Sequence, residues 1–343
     1  MEKLGIAIVG YGGMGTYHAS TLIPEEYFDL KGIWDIAKKQ RALAEENDLH
    51  VFESFEAVLE DKSVEAILIA TPNDSHKAIA IQALEAGKHV ICEKPVMLST
   101  EELDEVLAVA EKADRIFMVH QNRRWDPDFL VIKELMHNHQ IGEIFQIESR
   151  VHGANGIPGD WRHVKAQGGG MILDWGVHLL DQIHTLVDSP IKTMRADLSF
   201  VLGNEVDDGF TVTLIHENGL KSVVEVGTTN YVKLPRWYVK GTEGTAIIED
   251  WDLSGTMIVA TGDSTATPQP IQAGVGLTKT MAPPSEEATE ELALPTPHMM
   301  NESFYFNFYR TVREGAEPIV KNEEVRYVMQ LMERIFEEAD VIQ

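Results

Sequence analysis

Residues 6–15 read IAIVGYGGMG, an apolar run of strand composition that stops at Gly10 and continues through Gly12 and Gly15 as G-x-G-x-x-G. The first glycine of such a motif permits a tight turn. The second lets the backbone approach a pyrophosphate, and the third lets the next helix pack closely on the strand. Unpaired N–H groups at the helix start then face the phosphate. Tyr11, Gly13 and Met14 complete the predicted cradle. Glycine-rich turns are common, so the context matters. Asp35 closes the next strand, 20 residues beyond Gly15, where a carboxylate can hydrogen-bond a ribose 2′-OH. Ile36 and Ala37 follow it, with no arginine or serine to hold a 2′-phosphate. The carboxylate would repel that phosphate, so NAD is favoured over NADP, a preference tempered by Lys38 and Lys39.

The first 120 residues alternate short apolar runs with amphipathic stretches. Strands are expected at 6–10, 29–35, 66–71, 89–95 and 115–121, and helices at 13–22, 37–47, 76–87 and 100–112. Gly87 suits a helix C-terminus, and Ser99 or Thr100 an N-cap. Strands this apolar, interleaved with helices, imply a parallel sheet covered on both faces. Beyond residue 125 the pattern changes. A helix at 127–138 leads to a strand at 143–152, a glycine-rich loop and a helix at 170–188. Alternating runs at 193–202, 208–217, 220–230, 236–240, 244–250 and 255–260 then read as a mostly antiparallel sheet. Residues 261–298 lack a period and are expected to form a long surface loop, before helices at 300–314 and 322–341. A chain of 343 residues is too long for one core. The expected division is a dinucleotide-binding domain over 1–122 and an α+β domain over 123–343, whose terminal helices can pack back on the first.

Charge and cysteine narrow the function. Lysine and arginine number 29 against 55 acidic residues, a net charge of −26. Phosphate backbones and anionic lipid are repelled, so neither nucleic acid nor membrane is an expected partner. No apolar run reaches the roughly 18–20 residues of a membrane span, and a strand begun by Ile6 leaves no room for a leader. One cysteine, Cys92, excludes an internal disulfide and a cysteine metal site. A reducing cytoplasm is expected. No metal is expected either: His137 and His139 diverge at a helix end, and His178 and His184 are six apart, off one face. The aromatics Phe304, Tyr305 and Phe308 read as core at helical spacing, and Tyr231, Trp237 and Tyr238 as strand-face packing.

Three stretches can carry chemistry. ATPNDSH (70–76), with Thr71, Pro72, Asn73 and His76, follows a buried strand at the sheet edge where ligands bind. CEKP (92–95) places Glu93 and Lys94 at the same edge. GGGMILDWGVHLLDQ (168–182) carries Asp174 and His178 at i, i+4, which stacks them on one face of a regular helix. Together with GYGGMG, HQNRRWDPDF (120–129, including Asn122) and DWR (160–162), these stretches resemble the Gfo/Idh/MocA oxidoreductase family over essentially the whole chain. The resemblance implies a Rossmann domain followed by a domain on a large open sheet, whose outer face often mediates homodimers or homotetramers. It implies oxidation of a secondary alcohol of a sugar, glycoside or cyclitol with NAD(P). By motif, Lys94, Asp174 and His178 are the catalytic positions, as in inositol dehydrogenases, and Trp161 and Arg162 approach the nicotinamide end.

The physical logic agrees. Hydride removal from a carbinol carbon requires the hydroxyl proton to leave, so a base must reach within about 2.6–3.2 Å of that oxygen. His178 has a suitable ordinary pKa of about 6.5, and Asp174 is expected to orient its ring. Lys94 can stabilise alkoxide character and share the proton transfer, with Glu93 near enough to influence its charge. Two other functions fit the same residues less well. One is an NAD-retaining glycosidase or epimerase using transient oxidation; the other is a nucleotide sensor, which has no need of proton-transfer groups.

Overall fold

The computed structural model describes residues 2–262, 269–282, 284 and 287–342. In the first half, β1 (Leu4–Val9), β2 (Phe28–Trp34), β3 (Ala66–Ile69), β4 (His89–Cys92) and β5 (Phe117–Val119) form a five-stranded sheet. Its order is β2-β1-β3-β4-β5 and every pairing is parallel. Helices α1 (Gly13–Leu22), α2 (Lys38–Glu46), α3 (Phe55–Glu60), α4 (His76–Glu85) and α5 (Thr100–Ala113) connect the strands. Strands β1, β3 and β4 are buried almost throughout, as near-continuous apolar runs require when helices cover both faces. The order reverses at β1, so the chain leaves β1, β3 and β4 beside one crevice at their C-terminal ends, where a doubly wound sheet binds ligand. Ser99 caps α5, its Oγ accepting from the Glu102 N–H at 3.2 Å, and Gly87 follows α4 with φ 79°.

The second half builds a nine-stranded sheet. After α6 (Pro127–Asn138) come β6 (Ile144–His152), α7 (Val177–Leu186), β7 (Ile191–Ser199), β8 (Gly209–His216), β9 (Lys221–Gly227), β10 (Trp237–Gly241), β11 (Gly244–Ile248) and β12 (Gly255–Ala260). The short β13 (Ile271–Ala273) and β14 (Gly276–Thr278) form a separate hairpin. β15 (Thr289–Leu292), α8 (Phe304–Glu314), α9 (Asn322–Glu338) and β16 (Asp340–Ile342) end the chain. The sheet runs β15-β12-β11-β10-β6-β9-β8-β7-β16. It is antiparallel except at β6–β9 and β7–β16. Burial alternates along β8 and β9, the signature of a sheet with one packed face. The fold class is the one expected: a Rossmann domain and an α+β domain on a large, mostly antiparallel sheet.

Several elements differ from expectation for identifiable reasons. The short α3 has too little length for a helical period to show, although Ser54 caps it. The stretch expected as one loop over 261–298 includes β15, which pairs with β12; residues 263–268, 283 and 285–286 lie outside the described residues. The last helix stops at Glu338, and Asp340–Ile342 instead pairs with Asp197–Ser199, satisfying backbone groups along that side of β7. The helix expected at 300–314 begins at Phe304, where the Ser303 hydroxyl accepts from the Phe306 N–H at 3.1 Å. Both terminal helices reach the first domain. Arg313 of α8 grips Glu65, and Glu333 of α9 accepts from the Thr100 N–H and hydroxyl.

Candidate active site

The crevice begins with the glycine turn. Gly10 has φ 95°, and a Cβ there would meet the Ala70 carbonyl oxygen at 2.6 Å. A Cβ on Gly15 would lie 2.0 Å from the Gly10 oxygen, so α1 can approach β1 only without a side chain. At Gly12 and Gly13 a Cβ would point into open space. No side chain caps α1 and no acidic residue occupies its first turn. Its first N–H groups are therefore free for an anion. This set fits the pyrophosphate of NAD. Met14 is exposed, whereas the Tyr11 ring is buried, its hydroxyl accepting from Asn47 at 3.1 Å.

Asp35 braces the turn. Its Oδ2 accepts the Tyr11 N–H at 2.7 Å and its Oδ1 the Ala37 N–H at 2.7 Å. One expectation requires correction here: Asp35 does have an arginine beside it. Arg41, one helical turn into α2, donates from Nη1 to the carbonyl oxygens of Asp35 and Ile36 at 2.6 and 3.0 Å. The tight turn after β2 brings Arg41 back to a site that its distance in sequence concealed.

Lys94 leaves β4 at the same edge, and its peptide bond to Pro95 is cis. Its Nζ donates to the Asp174 carbonyl at 2.8 Å and to Asp174 Oδ1 at 3.0 Å. Arg162 Nε donates to Asp174 Oδ2 at 2.9 Å, while its Nη1 reaches Asp160 at 2.9 Å and its guanidinium lies 4.5 Å from the Trp161 ring centre. Both carboxylate oxygens of Asp174 are thus held by cations. Burial works to raise the Asp174 carboxyl, but the charges of Lys94 and Arg162 prevail and hold it below its usual range.

His178 comes from the same segment and is buried. Burial first, then the charges of Lys94 and Arg123, pushes its imidazole well below the usual pKa. The ring is accordingly neutral at neutral pH. It packs edge-on against Trp175 at 6.1 Å, and the Arg123 guanidinium lies 4.4 Å from the Trp175 ring centre. The expected pairing of Asp174 with His178 does not form, and His178 Nδ1 is buried with no hydrogen-bond partner among the described residues. Residues Ile172–Gly176 make a π-helical turn ahead of α7. Its wider i→i+5 winding breaks the i, i+4 alignment and turns Asp174 to Lys94 and Arg162. Asp207 holds the entry: its carbonyl accepts the Met171 N–H at 3.1 Å and its Oδ2 the Ile172 N–H at 2.8 Å. Nothing in the local spacing signals Asp207, because it arrives from the loop that leads into β8.

The remaining predicted positions mostly shape the crevice. His76 is buried, with Nε2 2.9 Å from the Thr71 carbonyl and Nδ1 3.1 Å from that of Val96, tying the exits of β3 and β4 together. Asn73 donates to the Gly168 carbonyl at 3.2 Å, anchoring the glycine loop of the second domain. Thr71 accepts from Ser75 at 2.6 Å, Pro72 is exposed, and Asn122 is half-buried in a 3₁₀ turn. Glu93 is as near Lys94 as expected, its Oε2 accepting the Lys94 backbone N–H at 3.0 Å, and its side chain points inward, between His18 and His120. Among the aromatics, Phe304, Tyr305 and Phe308 are core and Trp237 is fully buried, donating to Asp128 at 2.7 Å; Tyr231, however, is 89% exposed.

Known proteins share this fold. Residues 4–121 match the family model "Oxidoreductase family, NAD-binding Rossmann fold", and residues 129–247 match "GFO/IDH/MocA C-terminal domain". A crystal structure of an NAD-binding protein from Listeria innocua is 58% identical, with a TM-score of 0.97 over 99% of this chain and 98% of that one. The uncharacterised oxidoreductase C26H5.09c of Schizosaccharomyces pombe is 30% identical over 64% of this chain, a match spanning 62% of that protein. The scyllo-inositol 2-dehydrogenase (NADP(+)) IolW of Bacillus subtilis is 27% identical over 72% of this chain and 69% of that protein. With both family models matched in order, on a Rossmann crevice that fits NAD, the chain belongs to the Gfo/Idh/MocA family of oxidoreductases.

Proposed function

We propose that the protein is an NAD-dependent dehydrogenase that oxidises a secondary alcohol of a sugar, glycoside or cyclitol. One observation carries this reading: Lys94 from the Rossmann edge and Asp174 from the second domain meet at 3.0 Å, beside a buried neutral His178. A bound NAD would supply the hydride acceptor. Gly10, Gly12, Gly13 and Gly15 would cradle its phosphates, with Asp35 at the ribose. His178, kept neutral by burial and nearby cations, has a free lone pair and takes the hydroxyl proton. Lys94, anchored by Asp174, donates to the same oxygen and stabilises its developing charge. Arg162 shares the carboxylate and fixes it from the other side. A cyclitol substrate is supported by the likeness to an inositol dehydrogenase. A cytoplasmic location is supported by the single cysteine, Cys92, which allows no internal disulfide.

The test is to present purified protein and NAD with inositols, free sugars and glycosides and follow NADH absorbance. Net NADH with at least one compound supports the dehydrogenase. Turnover of a glycoside or epimer without net NADH would replace it by the NAD-retaining reaction.

A further inference from the structure

Behind Lys94 lies a buried cluster that the proposed chemistry leaves unused. Glu93 Oε1 accepts from His18 Nε2 at 2.8 Å and from His120 Nδ1 at 2.7 Å, while Oε2 accepts the Lys94 backbone N–H at 3.0 Å. On its far side, His18 Nδ1 lies 2.6 Å from the Tyr305 hydroxyl. Glu93, His18, His120 and Tyr305 are each at most 5% exposed. They come from four elements: the exit of β4, the cofactor helix α1, the exit of β5, and α8. Burial opposes ionisation of Glu93, yet His120 and His18 together hold its carboxyl well below the usual range. The N–O separations are hydrogen-bond lengths. They are shorter than the ~3.4 Å between ligands around a tetrahedral zinc, so protons, not a metal, account for the cluster as it stands.

We infer that Glu93 is a positioning residue for Lys94, fastened by His18 and His120 to the helix that receives the cofactor phosphates. The inference rests on Lys94 acting as proposed above. Three hydrogen bonds fix both oxygens of Glu93, and so fix the backbone from which the Lys94 side chain reaches Asp174. An amide in its place can accept at one end only; its NH2 would face the Lys94 N–H, donor against donor. Removing the carboxylate also removes negative charge from the surroundings of Lys94 and His178. Other titratable groups face this region: His76 from α4, Asp174 and Arg162 across the crevice, and Arg123 beyond His178.

The experiment compares the pH dependence of kcat/KM for wild type, Glu93→Gln, Glu93→Asp and Lys94→Ala, with NAD affinity measured separately. In Glu93→Gln, kcat is expected to fall roughly tenfold, a part of the 10²-fold or more attached to an acid–base group itself. NAD affinity should change little. The acid limb, where His178 gains its proton, should move to lower pH, because the Glu93 charge is one of the causes that raise the His178 pKa and a cation near fewer negative charges releases its proton sooner. Glu93→Asp keeps the charge but retreats from the Lys94 N–H, so kcat should fall with the limb in place. A merely structural role predicts equal losses and an unmoved limb in both, and that result would overturn the inference. If Glu93→Gln does not fold, wild-type kcat in Glu93→Asp would overturn it equally. Full activity in Lys94→Ala would instead remove the reading on which the inference depends.

Discussion

At the residue scale, the site depends on how charge is shared around Asp174. The lysine at the end of β4 and the D-x-G-x-H segment were both legible in the sequence, because motif and strand-end position mark them. Their mutual geometry was not. Sequence spacing assigns Asp174 to His178, and the structure assigns it to Lys94 and Arg162, because the π-helical turn changes the winding between the two residues. Asp174→Asn should therefore leave two cations without their shared carboxylate. Breaking a buried pair costs about 3 kcal/mol or more, which denaturant unfolding would read as a lower midpoint; an unchanged midpoint contradicts the pairing. As the proposed base, His178 should give kcat/KM an acid limb below the ordinary histidine range of about 6.5, because a base must be neutral and its pKa is lowered. Lys94→Ala removes one of the charges that lower it, so the limb of any residual activity should move up. At the ribose, Asp35→Ser should narrow the preference for NAD over NADP in side-by-side kcat/KM assays, the more so with Arg41 alongside. Better turnover with NADP in the wild type would contradict the assigned role of Asp35.

At the element scale, most of both sheets could be read from periodicity. Buried parallel strands are apolar throughout and half-buried antiparallel strands alternate, so each leaves its own pattern. The glycine turn was legible for the same reason that it is intolerant of change. Gly15→Ala places a methyl 2.0 Å from a backbone oxygen. It should cost about 1–3 kcal/mol and weaken NAD binding, measurable by fluorescence titration; wild-type affinity would deny the close approach of α1 to β1. Features that depend on distant partners were hidden. β16 exists because β7 offers it backbone groups, and the π-helical turn is held by Asp207 from the loop ahead of β8. Gly170, with φ 103° and an ideal Cβ 2.2 Å from Asp207 Oδ1, shows how tightly that entry is packed.

At the scale of the whole molecule, the fold buries several histidines in neutral form. His18, His76 and His178 all have lowered pKa values, with burial the first cause in each. In the unfolded chain they take up protons near pH 6.5; in the folded protein they do not. Stability should therefore decline as pH falls from about 7 through about 6 and below. Asp207, raised to about 6, and Asp126, raised likewise by burial, act in the opposite direction, against these three histidines and also His89, His184 and His216, each lowered with burial first. A thermal midpoint that is flat across this range would contradict the burial of those rings. The outer face of the nine-stranded sheet alternates half-exposed side chains along β8 and β9, and we propose that a second copy covers it in a dimer or tetramer. Light scattering at micromolar concentration returning one chain mass would exclude that. The charge of −26 is compatible with such pairing at moderate ionic strength, where screening acts over about 10 Å. The proposed chemistry lies in one crevice, where Lys94 of the first domain meets Asp174 of the second at 3.0 Å. Its most direct test is kcat of Lys94→Ala and His178→Ala on the best substrate, with folding verified by circular dichroism and NAD binding by titration. Each variant should lose at least about 10²-fold in kcat with NAD affinity nearly intact, and the double variant should lose less than the product of the two. Near-wild-type turnover in either single variant would contradict the shared site.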